Sequence, residues 1–266
     1  RSGDADQDGY DDSLEDNCWG VWGNSSSDRQ GCPDSDGDGY SDPDSNWTTS
    51  NGADSFSTIS SQWNDTDSDG FGDNISGFQG DDCILVGGNS TANGTYGCPD
   101  TDGDSWANID DVFPADSSQW SDSDGDGYGD NSTGNLPDAC PSVAGSSTLD
   151  RLGCIDTDSD GYSDNGDSCP NNSGTSTANS TYGCPDQDGD TWADSQDDFP
   201  NETTQWIDTD SDGFGDNTSG FQPDACILLA GNSTIDRFGC TDQDGDGWSD
   251  VNDAFAYESS QWNDTD

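Results

Sequence analysis

The sequence predicts an irregular tandem-repeat array with little regular secondary structure, short β-strands and turns at most, drawn out into an elongated rod or fibre. Three observations predict it. The first is composition: of 266 residues only 26% are hydrophobic, and 58 acidic residues against 4 basic ones give a formal net charge of −54. Such a chain buries too little apolar surface to offset backbone ordering, which costs roughly 1–2 kcal/mol per residue. The second is punctuation, since Gly, Asn, Asp, Ser and Pro interrupt every short segment and no window sustains a helical period. The third is repetition. Residues 83–154 align without a gap onto 169–240, and 42 of the 72 positions are identical. Something other than a hydrophobic core has to hold these repeats.

The same composition excludes several functions. A chain at −54 repels phosphate backbones and anionic membrane surfaces, so nucleic acid is not an expected partner. No apolar run approaches the roughly 20 residues that span a bilayer, so membrane insertion is not expected either. There is no His, and the four basic residues are all Arg. The usual general bases and the Schiff-base nucleophile are therefore missing, and the chain reads as a non-enzyme.

A smaller module recurs inside the long repeat: SQWNDTDSDGFGDN from Ser61, SQWSDSDGDGYGDN from Ser118 and TQWIDTDSDGFGDN from Thr204. The organisation expected is one continuous array over 1–266, with modules at roughly 1–60, 61–117, 118–203 and 204–259 and a truncated module at 260–266. The apolar stretches CILVGG (83–88) and CILLAG (226–231) are candidates for brief strands.

Within the modules the pattern D-x-D-x-D-G-aromatic-x-D appears nine times, complete or nearly so. The first loop runs through Asp4, Asp6, Asp8, Tyr10 and Asp12, and the second through Asp34, Asp36, Asp38, Tyr40 and Asp42. The third has Asp65, Asp67, Asp69, Phe71 and Asp73; the fourth has Asp100, Asp102, Asp104, Trp106 and Asn108. The fifth has Asp122, Asp124, Asp126, Tyr128 and Asp130; the sixth has Asp156, Asp158, Asp160, Tyr162 and Asp164. Asp186, Asp188, Asp190, Trp192 and Asp194 form the seventh, and Asp208, Asp210, Asp212, Phe214 and Asp216 the eighth. The ninth holds Asp242, Asp244, Asp246, Trp248 and Asp250, and a tenth copy begins at Asp264 and Asp266.

The spacing carries chemistry. Alternate Asp side chains in a tight turn converge on one point, where a hard cation taking six to eight oxygens at about 2.3–2.6 Å fits. Gly at position 6 permits the turn, and the backbone carbonyl of the position-7 aromatic is a natural further ligand. Calcium suits this donor set better than magnesium, which insists on an octahedron, or zinc, which prefers His and Cys. At least one ion per loop is expected, about nine or more per chain; nine divalent ions would bring −54 to −36, and two per loop to −18. Scattered halophilic solvation would not phase Asp to ligand positions, and no helix pattern flanks the loops as an EF-hand requires.

Position 12 divides the loops. It is acidic in five, at Glu15, Asp111, Asp167, Asp197 and Asp253, and these are expected ligands. Elsewhere it is Ser45, Ser76, Thr133 or Ser219, and the missing carboxylate has to come from Asp44, Asp82 or a neighbouring loop. Ser105 and Thr191 replace the position-6 Gly, which predicts strain of about 1 kcal/mol or more at each.

The segments DADQDGYDDSLEDNC (4–18) and DTDSDGYSDNGDSC (156–169) resemble thrombospondin type-3 repeats, and the array as a whole is similar to those of microbial surface proteins. The resemblance implies an extracellular chain wrapped around many calcium ions with little secondary structure. The SQW segments and the 86-residue period depart from that family's usual pattern.

The ten cysteines, taken in order, pair as Cys18–Cys32, Cys83–Cys98, Cys140–Cys154, Cys169–Cys184 and Cys226–Cys240, separated by 14 or 15 residues each time. That regularity points to local disulfides and oxidising surroundings, although spacing alone leaves other connectivities open. N-x-[ST] acceptor tripeptides for N-linked glycans start at Asn24, Asn46, Asn64, Asn74, Asn89, Asn93, Asn131, Asn171, Asn179, Asn201, Asn217, Asn232 and Asn263. Thirteen is well above the four or so that chance predicts for this composition. Trp63, Trp120, Trp206 and Trp262 repeat in the QW dipeptide and are expected to cover neighbouring loops.

Together these readings imply an extracellular structural glycoprotein rigidified by calcium. The incomplete modules at either end imply head-to-tail self-association into a filament or surface appendage, or else a piece of a longer array. The alternative is a calcium-dependent adhesin or carbohydrate-binding module with a sugar or cell-surface partner.

Overall fold

The computed structural model describes residues 3–265, so the expected ligand Asp266 lies outside the described residues. Among the described residues, regular structure amounts to two single 3-10 turns, Thr49–Asn51 and Ala178–Ser180, and three isolated bridges. The expected strands at 83–88 and 226–231 do not form. The chain turns back there instead, with the Val86 N–H donating to the Cys83 carbonyl and the Leu229 N–H to that of Cys226, each at 2.7 Å. Each of these cysteines is tethered by its disulfide and no strand lies alongside, so the apolar run has no ladder to join.

All five disulfides pair as the spacing suggested, with Cα–Cα distances of 5.0–5.1 Å and no free cysteine. Each closes a loop whose entropy is worth about 3 kcal/mol in the chain-entropy account. Inside each loop a fully buried serine secures the second cysteine: the hydroxyls of Ser25, Ser90, Ser147, Ser176 and Ser233 accept its N–H at 2.9–3.0 Å. Five disulfides place the chain in an oxidising, extracytoplasmic setting. No helix of the described residues is long and apolar enough to cross a membrane.

The interior is polar. Among the described residues the buried hydrophobic side chains are the second cysteine of each disulfide together with Ala53, Ala107 and Ala193. The largest fully buried side chains are instead Gln62, Gln119 and Gln205, the glutamines of the QW dipeptides. Each works as a hub. In the first, the Gln62 amide donates to the carbonyls of Asn74 and Phe78 at 2.9 and 3.1 Å, and its oxygen accepts the Asn74 N–H at 3.0 Å. Gly72 and Gly77 are required there, because a Cβ on either would lie within 2.7 Å of the Gln62 amide. Replacing such a hub, Gln119→Ala, strands buried backbone groups and should cost about 2–4 kcal/mol. Denaturant unfolding measures it, and a loss below about 1 kcal/mol would mean that the hub does not hold its segment.

Position-7 aromatics supply the apolar contacts. Tyr40 stacks on Trp63, Trp106 on Trp120, Trp192 on Trp206 and Trp248 on Trp262, with ring centroids 5.3–6.1 Å apart and planes within 13°. Phe71, Tyr162 and Phe214 meet Tyr96, Tyr182 and Phe238 at a tilt. The QW tryptophans therefore do lie against neighbouring loops.

Contacts gather the chain into two compact units, Arg1–Asp122 with Gly129–Pro137, and Ser123–Tyr128 with Asp138–Asp266. The first holds the loops that start at Asp4, Asp34, Asp65 and Asp100, two disulfides and the hubs of Gln62 and Gln119. The second holds the loops that start at Asp156, Asp186, Asp208 and Asp242, three disulfides and the hub of Gln205.

Candidate metal centres

Each loop is shaped by alternating left-handed residues. At position 6 all nine have positive φ, including Ser105 at 83° and Thr191 at 84°, where the sequence predicted strain. Position 4 is left-handed as well, which the motif did not announce, since Gln7, Ser68, Ser159 and Ser211 stand there at 64–67°. This zigzag turns the N–H groups of positions 4 and 6 onto the position-1 carboxylate. In the second loop Gly37 and Gly39 donate to the two oxygens of Asp34 at 2.7 and 2.9 Å. Thr191→Gly should then stabilise the chain by about 1 kcal/mol. A rise in melting temperature is the readout, and a fall would show that the Thr191 side chain contributes more than its strain costs.

Position 9 latches the loop to its own start. The Thr66 N–H donates to Asp73 at 3.0 Å, and the Thr101 N–H donates to Asn108 at 2.9 Å. The latch needs only an acceptor oxygen, which is why Asn serves at 108. Positions 3 and 5 are aimed inward. One oxygen each of Asp34, Asp36 and Asp38 lie within 4.8 Å of one another, and the same holds for Asp65, Asp67 and Asp69, and for Asp100, Asp102 and Asp104.

The missing carboxylate is a second, distant aspartate. Asp54 closes the second loop, Asp81 the third and Asp224 the eighth, and their like-charge neighbours are the position-3, position-5 and position-9 carboxylates of those loops. Asp138 lies beside Asp126 in the same way, both approaching the space beside Gly153. Neither Asp44 nor Asp82 fills this role. Asp44 is exposed and pairs with Arg29 at 2.7 Å, while Asp82 accepts the Tyr96 N–H at 2.9 Å. The expectation for Glu15 is also corrected. Its side chain is exposed, and Asp16, one residue on, joins Asp6 and Asp8 within 4.8 Å. Asp111, Asp167 and Asp197 sit against their loops' position-5 and position-3 carboxylates as expected.

One local device orients all nine closing aspartates. The N–H two residues later donates to one carboxylate oxygen, from Cys18, Cys83, Cys140, Cys169 and Cys226 or from Phe56, Phe113, Phe199 and Phe255, at 2.6–2.7 Å. This leaves the second oxygen facing the loop. D-x-C and D-x-F were thus the signals that could have found these closing aspartates in the sequence.

Six closing aspartates, at 54, 81, 111, 138, 197 and 224, are more than nine-tenths buried, with Asp81 at 0% and Asp54 at 1% exposure. The second oxygen of Asp16, Asp54, Asp81 and Asp224 is buried with no hydrogen-bond partner. So is one or both oxygens at position 3 in Asp36, Asp67, Asp102, Asp124, Asp158, Asp188, Asp210 and Asp244. Every buried, unpartnered side-chain polar atom among the described residues is a carboxylate oxygen of Asp. Burial and the facing carboxylates push Asp54 up to about 7, and Asp81 and Asp197 up to about 6. Buried carboxylates crowded on one another without donors are costly unless a cation joins them.

No family model matches the chain. No curated protein gives a significant match. The centres therefore rest on their own chemistry.

The acceptor tripeptides divide in two. Asn24, Asn46, Asn64, Asn89, Asn93, Asn171, Asn179, Asn201, Asn232 and Asn263 are exposed or half-exposed. Asn74, Asn131 and Asn217 are half-buried structural residues, whose amides donate to the carbonyls of Ser61, Ser118 and Thr204 at 2.8–2.9 Å. Their oxygens accept the N–H of Ser76, Thr133 and Ser219. Of the tenth copy, Asp264 is exposed.

Proposed function

We propose that this chain is an extracellular structural glycoprotein whose Asp-rich loops bind calcium, and that the ions replace the hydrophobic core it lacks. The observation that carries the reading is the set of buried closing aspartates. In Asp54, Asp81 and Asp224 the second oxygen is turned toward the loop's carboxylates, where no hydrogen-bond donor meets it. A calcium ion accepts six to eight such oxygens, and two oxygens on one ion stand at most about 5 Å apart, which the 4.8 Å clusters satisfy. The resemblance to thrombospondin type-3 repeats agrees with this reading.

Two ions per loop fit the donors better than one. In the first loop Asp6 belongs both to a cluster with Asp4 and Asp12 and to a cluster with Asp8 and Asp16. In Asp67, Asp124, Asp158 and Asp210 both oxygens are buried and unpartnered, as a carboxylate bridging two cations requires. Stiffened repeats of this kind suit a filament or surface-appendage subunit that associates head to tail, and electron microscopy of the native protein with and without EGTA tests that assembly. Elemental analysis tests the ion load. About nine to eighteen calcium ions per chain are expected, and a content of one or two would overturn the reading.

A further inference from the structure

Each disulfide begins in a tight turn whose outer side chains face solvent. The N–H three residues after the first cysteine donates to that cysteine's carbonyl at all five, from Val21, Val86, Val143, Asn172 and Leu229. Three of these turns present bulky apolar groups. Trp19, Val21 and Trp22 are exposed at the first, Leu85 (80%) and Val86 at the second, and Leu228 (82%) and Leu229 at the fifth. The turn after Cys140 exposes one large aliphatic side chain, Val143, beside the smaller Pro141 and Ala144, and the turn after Cys169 carries Asn171 and Asn172 in their place.

The residue six positions after the first cysteine follows the same division. It is Asn24, Asn89 or Asn232 in the three apolar turns, and each opens an acceptor tripeptide; it is Ser146 or Thr175 in the other two. None of the three asparagines is buried, and the serine after each is completely buried, at Ser25, Ser90 and Ser233. In an extended segment successive side chains point to opposite sides, so a buried serine turns the asparagine outward. Three residues of chain separate Val86 from Asn89, and Leu229 from Asn232, a span of at most about 11 Å. The first sugars of an attached oligosaccharide reach across it.

We infer that oligosaccharides N-linked at Asn24, Asn89 and Asn232 fold back over the apolar turns beside them and shield them from water. This rests on the glycoprotein reading above. Charge favours this occupant over a second copy laid on the turns, which would bring two acidic chains face to face at −54 each, or −18 with two calcium ions per loop, unlike the end-to-end contact proposed above. A neutral sugar meets no such repulsion, and its C–H face packs on Trp and Leu side chains.

Glycopeptide mass spectrometry of the native protein, followed by a paired set of variants, tests the inference. The triple variant Asn24→Gln, Asn89→Gln, Asn232→Gln is compared with the control Asn46→Gln, Asn93→Gln, Asn171→Gln, both made in a glycosylating host and loaded with calcium. The first should bind a hydrophobic dye such as ANS several-fold more strongly, while the control stays at the parent level. Enzymatic trimming of glycans from the folded native protein should give the same rise without any substitution, and calcium content reports that the loops remain intact. Equal dye binding by the two variants overturns the inference, as do glycans found elsewhere but absent from these three sites. A chain with no glycan at any asparagine overturns the glycoprotein reading as well.

Discussion

Chelation with EGTA is expected to unfold both compact units while the five disulfides stay closed. Far more than a local loosening should follow, because little else is buried: apart from half-cystines, only three alanines are buried apolar residues among those described. An ion present at a hundred times its dissociation constant stabilises the folded state by about 2.7 kcal/mol. Nine or more such sites outweigh the net stability of an ordinary domain, about 5–15 kcal/mol. Removing them also leaves position-3, position-5 and closing carboxylates facing one another in the interior. Near-ultraviolet circular dichroism is the sensitive probe, since four aromatic pairs are stacked on the loops and should lose their fixed geometry. An unchanged spectrum in EGTA, from protein shown to be free of metal, would mean that disulfides and hydrogen-bonded hubs hold the fold alone. Reduction of the disulfides in saturating calcium is the complementary test. There the ion-held loops should persist, with each opened disulfide costing about 3 kcal/mol.

Asp81→Asn should change stability in opposite directions with and without calcium. The substitution keeps the shape and the oxygen that accepts the Cys83 N–H at 2.7 Å, but removes the charge that faces Asp67 and Asp69. In calcium the variant should lose at least tenfold in affinity at that loop, about 1.4 kcal/mol, because ligand charge count sets calcium affinity. In EGTA it should be as stable as the parent or more so, since one member of a repelling cluster is gone. Calcium titration by calorimetry and denaturant unfolding in both conditions give the two signs. Equal destabilisation in both would reduce Asp81 to a structural hydrogen-bond acceptor. Asp16→Asn should behave like Asp81→Asn, whereas Glu15→Gln should leave calcium binding unchanged, because the Glu15 side chain is exposed and Asp16 faces the loop.

Much of the candidate site is legible in the sequence alone. The D-x-D-x-D-G loops are local: spacing of two along a tight turn brings their side chains together whatever surrounds them. The disulfide pairs are equally readable, since separations of 14 or 15 residues recur along the chain. The closing aspartates are only partly so. Asp81, Asp138 and Asp224 each stand sixteen residues after the first Asp of their loop and share the D-x-C signal, whereas Asp54 stands twenty after Asp34 and precedes Phe56 by two. Spacing alone does not single them out, since Asp82 lies one residue beyond Asp81, and the folded path decides which carboxylate reaches the loop. Glu15 and Asp16 show the same limit at a distance of one residue. The sequence places both within reach, but the Cys18 N–H selects Asp16 by fixing its carboxylate at 2.7 Å.

Composition and spacing by themselves determined that this chain has no hydrophobic core and that its aspartates are phased in nine loops, and they pointed to local pairing of its cysteines. These follow from short-range geometry and from counting charge. Tertiary structure alone decided the rest. It buried three glutamines as hubs, turned two apolar runs into exposed knuckles, and engaged the side-chain amides of Asn74, Asn131 and Asn217 in hydrogen bonds to backbone carbonyls. The physical reason is the same in each case. Whether a polar side chain faces water or the interior depends on which backbone groups the folded chain leaves without partners, and those groups lie 12–17 residues away along the sequence.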